Sequence, residues 1–172
     1  VHLELVDLLR CPRPHESTWL VAAADRMDGR HVMEGSLGCP ICETVYAIRR
    51  GVAWLVVPVG ADGTRAGDPS GEDDPVDDGA HPEETPVDDV VRVAAMLHLA
   101  DPGGVVLLVG GWADYAHALS ALVDAQFLVV DPPRWAPFHP AVSVMRTDGV
   151  AAVPVAAGSI RSVAADRPAA VG

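Results

Sequence analysis

Cys39 and Cys42, separated only by Pro40 and Ile41, are the sharpest chemical signal in this chain. Two thiolates on one tight turn can approach a single metal ion at about 2.3 Å each, and a structural zinc needs four donors. One such knuckle is half a site. The loop Arg10-Cys11-Pro12-Arg13-Pro14-His15 offers two more donors, Cys11 and His15. Cys11, His15, Cys39 and Cys42 are therefore the expected ligands, with zinc as the expected ion. In the alternative reading no metal binds, Cys11 is a small buried hydrophobe and His15 lies on the surface. Three cysteines cannot all pair, which favours a reducing, cytoplasmic setting over a disulfide framework. A catalytic redox role for the Cys-x-x-Cys is disfavoured, because nothing around it reads as a strand entering a helix.

A second constellation lies in the other half of the chain. Gly110 and Gly111 follow the apolar run Val105–Val109, where a backbone that turns tightly can approach a cofactor. Asp131 lies 21 residues beyond Gly110, near the spacing of an acid that accepts hydrogen bonds from ribose hydroxyls. Asp148 follows a third apolar run and is placed to accept from an adenine amino group. Taken alone, the glycine pair also reads as an ordinary strand-end turn. No Ser/His/Asp set or phosphate-binding P-loop is evident, so no catalytic residue is assigned. His98 and His117 fall in helical stretches and read as packing or surface residues.

Local patterning places these residues on elements. Leu3, Leu5, Val6, Leu8 and Leu9 form an apolar opening, either a helical turn or a strand. Trp19–Ala23, His31–Glu34, Thr44–Ile48 and Val52–Val57 read as strands, with a polar turn over Asp25–Arg30. They make a small antiparallel sheet whose two loops converge on the metal. Further on, Val87–Leu99 carries apolar residues at helical spacing, with Asp88 and Asp89 suiting the first turn. Val105–Val109 and Phe127–Val130 are continuous apolar runs, as in parallel strands buried on both faces. A helix over Trp112–Ala125 joins them. Val142–Met145 and Ile160–Ala164 supply a third and a fourth strand. This β-α-β order predicts a doubly wound α/β half.

Charge divides the chain. Its 12 basic residues, all arginine, face 24 acidic ones, for a net charge of -12. Residues 61–89 hold eleven of the acids against Arg65 alone, so this stretch carries -10 and the rest only -2. Rich in Gly and Pro and poor in large apolar residues, it cannot bury enough surface to offset its ordering entropy. The expected organisation is a module over 1–59, an acidic flexible linker over 60–85 and a second module over 86–172. The acidity argues against a broad nucleic-acid surface, although each module alone is nearly neutral. No apolar run reaches the roughly 20 residues of a membrane helix, and no signal peptide is evident at the start.

Family resemblances follow from these residues. Leu8-Leu9-Arg10-Cys11-Pro12, the Leu37-x-Cys39-Pro40-x-Cys42 knuckle and Tyr46-Ala47-Ile48-Arg49-x-Gly51-Val52 resemble the zinc-ribbon family of methyltransferase activator subunits. Pro14 stands where that family usually has a second cysteine, and His15 comes next. The stretch Thr147–Ile160, together with the glycine turn, resembles the first half of a class I S-adenosylmethionine-dependent methyltransferase. The family's acid at the end of the first strand is missing here, and Trp112 adds bulk at the turn. The resemblances imply an α/β protein (α+β overall), with a zinc-ribbon-like module and a partial, Rossmann-like sheet. They imply a shortened, degenerate methyltransferase-like protein with a binding or accessory role, acting as a homodimer or beside a methyltransferase partner. The alternative they leave open is an active methyltransferase binding S-adenosylmethionine through Gly110, Gly111, Asp131 and Asp148.

Overall fold

The first half of the chain folds as a meander because short apolar stretches alternate with tight turns. After a one-turn helix α1 (Leu3–Val6) come β1 (Val21–Asp28), β2 (His31–Gly38), β3 (Val45–Arg49) and β4 (Val52–Trp54), each antiparallel to the one before. The structure is a computed structural model that describes residues 1–56, 86–133, 139–147, 152–166 and 170–171. The acidic segment expected over 60–85 lies outside the described residues, as does Asp148. β1 runs further than the sequence pattern suggests. The expected turn over Asp25–Arg30 shrinks to Gly29 and Arg30, with Gly29 at φ +56°, and Asp25–Asp28 stay in the strand. β1 lies at the edge of the sheet, where its polar residues meet solvent on both faces, so polarity does not oppose pairing.

The second half alternates helix and strand. α2 (Val87–Met96) is followed by β5 (Val105–Val109), a 3₁₀ helix (Gly110–Tyr115), α3 (Ala116–Leu122), β6 (Gln126–Val130) and β7 (Val142–Arg146). β8 (Ala152–Val153), β9 (Ser162–Ala165) and β10 (Ala170–Val171) complete it. The single helix expected over Trp112–Ala125 is thus a 3₁₀ segment followed by a shorter α-helix.

Among the described residues, eight strands form one mixed sheet in the order β1-β2-β3-β4-β7-β6-β5-β9, and β8 and β10 form a separate parallel pair. β4 through β9 are mutually parallel within the large sheet. The join is β4 against β7, with Val52 opposite Val144 and Trp54 opposite Arg146. The antiparallel meander and the parallel strands are therefore one continuous sheet in a mixed α/β protein.

Both faces of the parallel part of that sheet are covered, which explains the uninterrupted apolar runs of β5 and β6. Leu107, Leu128, Val130 and Met145 point into a core shared with α1, the meander and Val155. Val106, Leu108, Phe127 and Val129 point the other way, against Val90, Val93, Ala116 and Leu119 of α2 and α3. Within the connection from β7 to β9, Val153 and Val155 are buried in the core on the first face. Here the N-terminal segment is stitched to it: the Arg10 N–H donates to the Pro154 carbonyl at 2.8 Å, and the Ala156 N–H to the Leu8 carbonyl at 2.7 Å. Arg10 immediately precedes Cys11, so the loop that carries Cys11 and His15 is anchored directly on this crossover.

Candidate functional site

Cys11, His15, Cys39 and Cys42 come together. Their four ligand atoms lie within 4.8 Å of one another, close enough to hold one metal ion. Two loops deliver them. The Cys11 N–H donates to the Thr18 carbonyl at 3.0 Å, closing the first loop, and the Cys39 N–H donates to the Thr44 carbonyl at 2.9 Å, closing the second. Within the knuckle the Cys42 N–H points at Cys39 Sγ (3.5 Å), and the Glu43 N–H donates back to the Cys39 carbonyl. Glu43 sits at φ +58°, the left-handed backbone that ends the turn.

Each donor is oriented by a second contact. His15 Nδ1 lies 2.6 Å from the Glu16 carbonyl oxygen, which can only accept. Nδ1 is therefore the protonated nitrogen, and the lone pair of Nε2 is left for the centre, 3.4 Å from Cys39 Sγ. The same carbonyl pushes the His15 pKa up from its usual value. Cys11 Sγ lies 3.3 Å from the buried Tyr46 hydroxyl and 3.7 Å from Cys42 Sγ. Burial pushes the Cys11 thiol up, and burial likewise raises the Tyr46 phenol. Cys42, the least buried of the three thiols, is held down to about 6, chiefly by the Thr44 hydroxyl 3.2 Å away. A thiol whose pKa is lowered gives up its proton more readily to a metal ion. Thr44 and Tyr46 escape a reading by ligand type. Their signal is positional, since both follow the knuckle closely: Thr44 immediately precedes β3, and Tyr46 is its second residue.

The glycine turn is differently disposed. Gly110 and Gly111 do follow β5, and Gly110 takes φ +66°. The space beside them is filled from within the chain by Asp166, just past β9. Its carboxylate accepts from the Gly111 N–H at 3.1 Å and stands 2.4 Å from where a Cβ on Gly110 would be. Asp131 follows β6 next to this turn, at φ +48°. Both its oxygens are engaged, accepting from the Thr147 N–H at 2.7 Å and the Thr147 hydroxyl at 2.6 Å. Arg146, its pKa lowered by burial, donates to the Pro132 carbonyl at 2.6 Å. Asp166 could not be singled out from sequence, because its place over the glycines follows from β9 lying beside β5.

No family model, curated protein or solved structure matches the chain. No helix among the described residues is long and apolar enough to cross a membrane.

Proposed function

We propose that the four residues hold a structural zinc ion, and that the protein is a non-catalytic, methyltransferase-like protein with a binding or accessory role. The convergence of the four donors carries the first part. A tetrahedral zinc at about 2.3 Å from sulfur and 2.0–2.1 Å from nitrogen separates its ligands by about 3.8 Å for two sulfurs and about 3.5 Å for sulfur and nitrogen. The 3.7 Å between Cys11 and Cys42 and the 3.4 Å between Cys39 and His15 fit those edges. When bound, the ion supplies a clip between the two loops. Cys11 then fixes the N-terminal segment that pairs with the β7–β9 crossover, and Cys39 and Cys42 fix the turn between β2 and β3. All four positions are filled by protein, so no site is left open for water or substrate.

The internal bonding of Asp131 and Asp166 supports an accessory rather than a catalytic role. Among the described residues, the strand-end carboxylates of Asp131 and Asp166 are engaged by protein donors, and the glycine turn faces Asp166. The parallel order β7-β6-β5-β9 agrees with a Rossmann-like half sheet, and the antiparallel meander with a zinc ribbon. A methyltransferase, or a second copy of this chain, is the partner this reading favours.

Elemental analysis and calorimetry test the proposal together. The full chain is expected to carry about one zinc, lost in Cys39→Ser, and to give no binding heat with S-adenosylmethionine or S-adenosylhomocysteine. A folded, metal-free chain removes the structural zinc. Micromolar cofactor binding that disappears in Asp131→Ala replaces the accessory reading with an active one.

A further inference from the structure

The three thiols of the centre are not equivalent. Cys11 and Cys39 are buried, whereas Cys42 is partly exposed, on a turn whose neighbours Pro40 and Ile41 face solvent. Cys11 Sγ, from the other loop, stands 3.7 Å from Cys42 Sγ. A disulfide needs about 2.05 Å between sulfurs, so the pair must close by somewhat under 2 Å. Cys39 instead faces His15 Nε2 and receives the Cys42 N–H.

We infer that the centre is a peroxide-sensitive release switch, in which hydrogen peroxide joins Cys42 to Cys11 and expels the metal. This rests on the zinc reading above. The Cys42 thiolate attacks the peroxide O–O bond. One oxygen becomes the Cys42 sulfenic acid, and the other leaves as hydroxide and takes up a proton to become water. The Cys11 thiolate then attacks the Cys42 sulfur, forming the S–S bond and releasing the second hydroxide, which is also protonated. In sum, two thiolates lose two electrons, two protons are consumed, and one peroxide becomes two waters. Only His15 and Cys39 remain as donors, too few to retain zinc at a four-ligand site.

The placement of the pair gives the switch a defined end state. Cys11 and Cys42 lie on different loops, 31 residues apart. Their disulfide would replace the metal clip with a covalent one across the same two loops, so the oxidised chain keeps its fold.

The test exposes the full zinc-loaded chain to hydrogen peroxide. It follows released zinc with a chromogenic chelator, free thiols by titration under denaturing conditions, and the linkage by non-reducing peptide mapping. The expected result is one zinc released per chain, a fall from three free thiols to one, and a Cys11–Cys42 cross-link with unchanged far-UV circular dichroism. Dithiothreitol followed by zinc should restore the starting state. Zinc retained with all thiols free, or released alongside a Cys39–Cys42 or intermolecular disulfide, overturns the switch while leaving the zinc reading intact. A chain that holds no zinc before peroxide is added overturns both.

Discussion

Replacing Gly110 by alanine should destabilise the protein by about 2–3 kcal/mol. Two separable causes are involved. At φ +66° an L-residue pays roughly 1–2 kcal/mol for its Cβ. That Cβ would also fall 2.4 Å from both Asp166 carboxylate oxygens, closer than real contacts allow. Asp166 must swing away and give up its bond from the Gly111 N–H, which at this exposed position contributes about 1 kcal/mol. Urea denaturation of the wild type, Gly110→Ala, Asp166→Ala and the double variant separates the two. In the double variant the clash is gone, so its cost should fall below the sum of the single costs by about 1 kcal/mol. Gly29→Ala is an internal control. Gly29 shares a left-handed φ of +56° but has nothing within 4 Å of its missing Cβ, so it should show the backbone cost alone. If Gly110→Ala costs no more than Gly29→Ala, or the double variant is strictly additive, Asp166 does not fill the glycine turn.

Two further outcomes follow from buried groups. Thr147→Val keeps the backbone donor to Asp131 but removes the hydroxyl at 2.6 Å, and should cost about 1.5–3 kcal/mol by denaturant titration; an effect below 0.5 kcal/mol, on the order of an ordinary surface substitution, would mean that Asp131 has other donors. His31 is buried and its pKa is pulled down to about 4, chiefly by burial, with the N-terminal amino group and His2 adding to the effect and the Val142 carbonyl and Asp28 opposing it. Unfolded, the same imidazole titrates near 6.5. Between those values the unfolded chain binds more protons, so stability should be fully present above about pH 6.5 and fall as pH drops toward 4. Urea midpoints across this window should fall less steeply for His31→Phe than for wild type, since acid-driven metal loss is common to both; superimposable profiles would sink the assignment.

Much of the four-residue cluster was legible because it depends on residue type and spacing. Cys39-Pro40-x-Cys42 specifies a knuckle, and Cys11 with His15 completes a set of four donors that the structure brings within 4.8 Å of one another. The runs Val105–Val109 and Phe127–Val130 were equally plain, since burial on both faces removes every polar residue. Long-range pairing was not legible. Nothing in the three residues of β4 names β7 as their neighbour, yet that pairing joins the two halves into one sheet. The same holds for Asp166, which reaches Gly110 only because β9 settles beside β5. β1 outruns its sequence pattern for a different reason: Asp25–Asp28 resemble a turn, and only their place on a solvent-exposed edge lets them pair as strand.

Whether Cys11, His15, Cys39 and Cys42 together hold one zinc ion is decided by X-ray absorption at the zinc edge on the full chain. The expected spectrum has three sulfur neighbours at about 2.3 Å and one nitrogen at about 2.0–2.1 Å, with the outer-shell imidazole scattering or the zinc itself lost in His15→Ala. A shell of oxygen and nitrogen alone, or a spectrum that His15→Ala leaves unchanged with zinc still bound, would contradict it.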